Sequence, residues 1–501
     1  MSDQQYFKIA GPPGTGKTTY LVNLVSSLLE QKVPSSKILY TTFTRAGANE
    51  AKNRAAAQFN LSEEDLRYFK TLHALCYRSM PSGFRVMTAK DWVTLGKAGK
   101  YYFSLKKKDE SGLPTGATKG DHLLHALSLS RNWGRPLKDS YLEYTDNHRF
   151  RYNELEYFAN MLRQYKENNG VLDYTDLLEN YLENGVPFDI DHAIGDEMQD
   201  LTPLQWQVFQ KMSKYAGHVY YAGDDDQTIY EWTGALSDKF LDAPGELTIL
   251  DQSYRIPKTV HDVADTVVNR ISHRIEKEYK PRAEEGVVEK NIHITDVDMS
   301  KGKWLVLARN NAFVLDMQLF CNRRGWRAVN SVDSKADSDL GSATAAYLKI
   351  CAGEHVEGKA LKAMATRLER GLIKHGWKHM WDNIHDNDLL SLEDLRDNYG
   401  FCPVTNLEEA FPMSSEEASF IRAMLKNGEF DKDPRIEIST IHNAKGRECD
   451  NVVLLPDMTL RTKQGFLDNP DAEHRVWYVG VTRARERLVI PQPLTEHYYA
   501  F

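Results

Sequence analysis

At 501 residues, with 41% hydrophobic and 27% charged, the chain exceeds what one hydrophobic core covers, so roughly two to four globular domains are expected and a fibrous or low-complexity chain is excluded. The formal charge of −8 excludes a wholesale basic coat for nucleic acid, yet leaves room for a local basic track with stacking faces. Cys76, Cys321, Cys351, Cys402 and Cys449 form no CxxC pair, which disfavours a zinc site or disulfide framework and fits a reducing interior.

The first residues show no charged region leading into an apolar one, and no run of ~18 apolar residues occurs, so a cytoplasmic protein without secretory signal or membrane span is expected. In chain order, 6–10 reads as a short strand, followed by a Gly-rich turn and an apolar helix over 18–29. A second strand is expected at 37–42 and an Ala-rich helix at 45–59, an order that points to a parallel sheet covered by helices. From about 80 to 184 the pattern turns helical and loop-like, with a Gly/Lys-rich stretch at 106–120 and no strong strand alternation, as for an inserted subdomain. Strands return at 192–195, 218–222 and 246–250, so the first sheet is split in sequence. A second α/β set begins at 303–308 and resumes at 435–440, 451–455 and 487–490, around a polar, helix-rich insertion over 333–432. The fold class is therefore α/β, with two parallel-sheet domains each interrupted by a mainly helical insertion.

Between the first strand and the first helix, Gly11, Pro12, Pro13, Gly14, Thr15, Gly16, Lys17 and Thr18 match GxxxxGK[ST], with Thr19 following. Glycines let backbone N–H groups close on phosphate oxygens, Lys17 neutralises β- and γ-phosphates, and Thr18 offers a hydroxyl to Mg²⁺. Asp196 and Glu197 follow a strand end, where Asp196 is placed to hold Mg²⁺ and Glu197 to orient and deprotonate the attacking water. Acidic pairs of this kind are common on solvated loops, and it is the P-loop that gives this one its catalytic reading.

Gln227 ends the next strand, where an amide can sense a γ-phosphate. Tyr230 and Trp232 follow it and either offer flat faces to bases or pack in the core. Arg255 and Arg483 are candidates for the cation that nucleotide hydrolysis needs on the transferring phosphoryl group, although surface ion pairs explain most arginines.

The order of these motifs resembles the UvrD/Rep/PcrA family of superfamily 1 DNA helicases along nearly the whole chain. Its FTNKAA-like segment appears as Phe43-Thr44-Arg45-Ala46-Gly47-Ala48, its TFH element as Thr71-Leu72-His73, and its DFDDLL element as Asp173-Tyr174-Thr175-Asp176-Leu177-Leu178. DEFQD becomes Asp196-Glu197-Met198-Gln199-Asp200, GDDDQSIY becomes Gly223 to Tyr230, and two later motifs fall at 441–448 and 478–485.

The resemblance implies an ATP- and Mg²⁺-dependent enzyme translocating on single-stranded DNA, 3′→5′, and unwinding duplexes at single/double-strand junctions, with DNA replication, DNA repair and recombination all open as its pathway. Its ATP site would comprise Lys17, Thr18, Asp196, Glu197, Gln227, Arg255 and Arg483, with Tyr254 stacking on the base and Glu448 approaching the nucleotide. Phe43, His73, Tyr230, Trp232 and His442 would line the single-strand track. The implied organisation is a first RecA-like domain over 1–79 and 188–257 with insertion 80–187, and a second over 258–332 and 433–501 with a shortened insertion 333–432. The family's upstream adenine-reading Gln has no clear counterpart in the sixteen residues ahead of Lys17, and no family-type extension follows the last motif. A translocase that strips proteins without unwinding, or a nucleotide-gated DNA-binding regulator, would share most of these residues, and no protein partner is implied.

Overall fold

The computed structural model describes residues 4–43, 45–79, 83–104, 113, 116–144, 146–330, 336–430 and 434–501. Thr44, most of the Gly/Lys-rich stretch at 106–120, and the expected boundaries at 79/80, 332/333 and 432/433 touch or lie outside the described residues. The chain falls into two compact units, one of Met1–Gly286, Arg461–Thr482 and Phe501, the other of Val287–Leu460 and Arg483–Ala500.

In the first unit, strands β1 (Gln5–Ala10), β2 (Ile38–Thr42), β3 (His192–Asp196), β4 (His218–Gly223) and β5 (Glu246–Ile249) form one parallel sheet in the order β2-β3-β4-β1-β5. Alternation of side chains explains why both faces are buried. Ile38, Tyr40 and Ile194 join Leu21, Val22 and Val25 of α1 (Lys17–Glu30) in one apolar cluster, with Ala55 of α2 (Arg45–Phe59). Their neighbours Leu39, Ala193, Val219 and Tyr221 face a second cluster with Leu72 and Leu75 of α3 (Leu72–Arg78), Trp206 and Phe209.

Between β2 and β3 the insertion is largely helical and has its own core around Leu123, Leu155, Phe158 and Leu162. Its helices include α4 (Lys119–Trp133), α5 (Tyr152–Asn169) and α6 (Tyr174–Asn184). It also contains a parallel pairing of Arg85–Val86 with Val171–Leu172 that its sequence pattern, without alternation, does not disclose.

The first unit continues past 257, where the sequence reading set a boundary. Helix α7 (Lys258–Val268) and the segment after it stay with the first unit because Arg274 and Lys277 reach buried carboxylates at the end of β4.

In the second unit, β6 (Val287–Ile292), β7 (Trp304–Ala308), β8 (Ala328–Asn330), β9 (Ile436–Thr440), β10 (Cys449–Leu454) and β11 (Ala484–Pro491) form a six-stranded parallel sheet ordered β8-β9-β7-β10-β11-β6. Trp304, Val306, Ile436, Ile438, Val453 and Val489 pack with Phe313, Val314 and Met317 of α8 (Asn311–Arg324). Residues between β8 and β9 carry a distinct core that includes Tyr347, Leu361, Trp381, Leu395 and Phe411. Between β10 and β11 the chain enters the first unit as α9 (Pro470–Val481), which packs against α7. There Asp471 accepts hydrogen bonds from the Ser272 and His273 backbone N–H groups at 3.0 Å, and Arg475 Nη2 donates to the His273 carbonyl at 2.7 Å. Both sheets are parallel, in agreement with the α/β reading.

Candidate active site

The turn after β1 holds Gly14 at φ 75° and Gly16 at φ 79°, left-handed conformations that favour glycine. A Cβ on Gly14 would lie 2.4 Å from the Cβ of Arg255, so this loop is closed by the segment that follows β5. The Tyr254 N–H donates to the Gly14 carbonyl at 2.9 Å and Ser253 Oγ to the Pro13 carbonyl at 2.9 Å. Arg255 is thereby fixed against the glycine loop, and the Tyr254 ring stays 74% exposed beside it.

Lys17, the first residue of α1, folds back so that Nζ donates to the Gly11 carbonyl at 2.7 Å. Thr18 Oγ1 and Tyr40 OH both donate to Asp196 Oδ2, at 3.1 and 3.3 Å. Burial and the charge of Glu197 push the Asp196 carboxyl up to about 6, against the opposing Lys17 ammonium and the Thr18 hydrogen bond. A buried carboxylate so disfavoured, one hydrogen bond from a P-loop hydroxyl, is a donor set that a divalent cation would satisfy.

Glu197 itself has φ 54°, left-handed backbone that is uncommon for a non-glycine residue and concentrates at functional sites. Its Oε2 accepts from Gln199 Nε2 at 2.6 Å, and Gln199 Oε1 accepts from the Asp224 N–H at 3.1 Å. Asp224 Oδ2 in turn accepts from Gln227 Nε2 at 2.6 Å. A continuous hydrogen-bonded chain therefore joins Glu197 at the end of β3 to Gln227 beyond β4. Gly223 is needed for it, since a Cβ there would lie 2.4 Å from Gln199 Oε1.

Three residues beyond Gln227 the aromatic set begins. The rings of Phe43 and Tyr230 stack at 5.5 Å, and Tyr230 meets Trp232 edge-on at 6.1 Å. Phe43 and His73 line a cleft of about 740 Å³ with Lys70, Tyr77, Arg78 and Tyr174, and the His73 and Tyr174 rings lie 6.0 Å apart. Burial lowers His73 from the ordinary histidine value, which favours the uncharged ring. The structure thus gathers Phe43, His73, Tyr230 and Trp232 along one path.

Arg483, Glu448 and His442 belong to the second unit. Arg483 is 1% exposed at the start of β11 and donates to the Arg447 carbonyl at 3.2 Å, while Glu448 pairs with Arg485 at 3.5 Å. His442 is buried just after β9.

Sequence reasoning missed the cations around Gln227. Lys277 and Arg274 approach Asp224, Asp225 and Asp226 from a segment whose sequence carries no motif of its own, and only an unbalanced DDD run hinted that counter-ions were needed.

A glycine loop cradled between β1 and α1, with acidic and amide side chains at the neighbouring strand ends, defines a P-loop nucleotide-binding protein. Residues 2–247 match the UvrD/REP helicase N-terminal domain and residues 400–492 match the UvrD-like helicase C-terminal domain. The chain belongs to the UvrD/REP helicase family. Relatives include a probable DNA helicase II homolog of Mycoplasma capricolum, 25% identical over 309 residues, covering 54% of this chain and 40% of that protein. The ATP-dependent DNA helicase PcrA of Leuconostoc citreum is 27% identical over 284 residues, covering 53% and 37%. DNA helicase II of Escherichia coli is 24% identical over 322 residues, covering 55% and 41%. The matches thus span about two fifths of the length of these relatives.

Proposed function

We propose that this protein is an ATP-dependent DNA helicase that moves along single-stranded DNA in the 3′→5′ direction and couples ATP hydrolysis to duplex unwinding. The observation that carries the reading is one short segment, Gly223 to Trp232, which bears Gln227 in the hydrogen-bonded chain to Glu197 and, a few residues on, Tyr230, stacked on Phe43 and edge-on to Trp232. A shift of Gln227 on hydrolysis would be felt at the rings that grip bases.

In this reading the P-loop N–H groups and Lys17 hold the phosphates, and Thr18 with Asp196 would hold Mg²⁺. A divalent cation bound there would neutralise charge developing on the phosphate oxygens. Glu197 takes the proton of the attacking water, Gln227 orients toward the γ-phosphate, and Arg255 and Arg483 supply positive charge to the transferring group. Tyr254 provides a face for the nucleotide base and Glu448 a contact to the nucleotide, while Phe43, His73, Tyr230, Trp232 and His442 stack on or contact the strand. The preferred substrate is DNA with a single-stranded tail adjoining a duplex.

The deciding experiment compares duplexes bearing a 3′ or a 5′ tail, with ATP and Mg²⁺. Strand separation from the 3′-tailed duplex, with hydrolysis stimulated by single strands, is expected. Stimulated hydrolysis without separation would assign a translocase, and no stimulated hydrolysis would overturn the motor reading.

A further inference from the structure

Asp224, Asp225 and Asp226 each present a carboxylate oxygen, all within 4.8 Å of one another, an arrangement able to take a divalent cation. A lysine fills it. The Nζ of Lys277 lies 3.2 Å from Asp224 Oδ1 and 2.9 Å from Asp226 Oδ2, and donates to Asp225 Oδ1. Arg274 adds a two-pronged contact to Asp226 at 2.8 Å on each prong, and the Ile275 N–H donates to Asp225 at 2.8 Å. The Lys277 side chain is 1% exposed and the three aspartate side chains 0%, so the cluster is closed off from bulk solvent.

The cluster sits directly beneath the candidate site. Asp224 is its pivot: one oxygen faces Lys277, the other accepts from Gln227, and its backbone N–H donates to Gln199, which donates to Glu197. We propose that Lys277 is a positioning residue for nucleotide hydrolysis, its ammonium taking the place of a cation among three carboxylates and so fixing where Asp224 holds the Gln227 amide. Burial works to lower Lys277, and the three carboxylates overcome it and keep the ammonium charged. The ammonium thus offers its three protons to three surrounding carboxylates, which fixes the loop more firmly than a two-point contact would.

The inference rests on the proposed ATPase reading, and full-length protein with saturating single-stranded DNA separates the two. Steady-state hydrolysis is measured for wild type, Lys277→Met, Gln227→Ala, their double, and Lys277→Met/Asp225→Asn, with folding followed by thermal unfolding. Lys277→Met is expected to lower kcat by about 10-fold or more and to leave the KM for ATP within about 3-fold. In the Gln227→Ala background the same change should cost less than about 2-fold, because the residue it acts through is gone. The Lys277→Met/Asp225→Asn pair restores the charge balance and should remain slow. Should Lys277→Met fail to fold, every comparison is made in the Asp225→Asn background. Losses that multiply with Gln227→Ala, or a charge-balanced pair as fast as wild type, would reduce Lys277 to a structural counter-ion and overturn the proposal. A wild-type chain without hydrolysis would instead overturn the reading beneath it.

Discussion

Glu197 is a glutamate held in left-handed backbone at φ 54°, a conformation that costs a side-chain-bearing residue about 1–2 kcal/mol relative to glycine. The carboxylate must therefore be worth more at this strand end than the strain it brings. Glu197→Gln is expected to abolish turnover while nucleotide remains bound, as measured by steady-state hydrolysis beside equilibrium binding of a fluorescent nucleotide. Glu197→Ala and Glu197→Gly both lose the carboxylate, yet thermal unfolding should find the glycine variant more stable by about 1 kcal/mol, the strain alone. On the proposed single-strand track, Trp232→Ala should lose ~1–3 kcal/mol of single-strand affinity in a titration at fixed salt. Unchanged affinity would return Trp232 to core packing. The P-loop and both strand-end acids were legible because each is a local spacing that follows a strand. Tyr77 and Lys70, which share the cleft with His73 and Tyr174, were not, since nothing local marks residues that reach this cleft only when α3 and α6 pack side by side.

At the scale of elements, the insertion in the first unit is tied by buried charge. Asp173 caps α6 by accepting from the Asp176 N–H, and both carboxylates pair with Arg131 of α4 and Lys166 of α5. Glu179 completes the set, 2.6 Å from Arg131. The sequence marked Asp173 to Leu178 as a family element and α4 as helical, but Arg131 lies 42 residues from Asp173, and a pairing across that distance leaves no periodic trace. Arg131→Leu leaves Asp173 and Asp176 to Lys166 alone and removes the Arg131 contact of Glu179, so a loss of about 3–5 kcal/mol is expected in urea unfolding. The same network gives an acid limit. Against the desolvation of burial, Arg131 and Lys166 hold Asp173 below its ordinary value. Its contribution is therefore complete above an unfolded value of about 4 and lost as the pH falls through the lowered folded value. Acid titration followed by tryptophan fluorescence should show this part of the pH dependence weakened in Arg131→Leu, where Lys166 alone still holds Asp173 down.

At the scale of the molecule, both sheets could be read in advance because their strands are short apolar runs between turn residues, as in β1, β3, β7 and β9. β6 and β8 escaped that reading: β6 (VVEKNI) mixes charge into its run and β8 has only three residues. The second insertion has a core of its own, but the helix Ser415–Asn427 also packs on α8, where a Cβ on Gly325 would lie 2.5 Å from the Ala423 carbonyl carbon. Replacing 353–412 with a flexible linker, and leaving that helix in place, should preserve DNA-stimulated hydrolysis while changing the unwinding of a tailed duplex. Loss of all stimulated hydrolysis in a soluble, cooperatively folding variant would put the insertion inside the motor.

The path of the chain through α9 bears on how this protein can be taken apart. Because the backbone leaves the second unit at Leu460, contributes α9 to the first, and returns at Arg483, neither unit is one uninterrupted stretch of polypeptide. A fragment ending at 286 would lack the helix on which α7 packs, together with the Asp471 carboxylate that accepts from the Ser272 and His273 N–H groups. Such a fragment should aggregate when expressed alone and become soluble when 461–482 is appended through a linker, as size-exclusion chromatography would show. A single protease cut between Leu460 and Arg461 should likewise release nothing, since two severed pieces stay threaded through one another's folds until the chain is denatured.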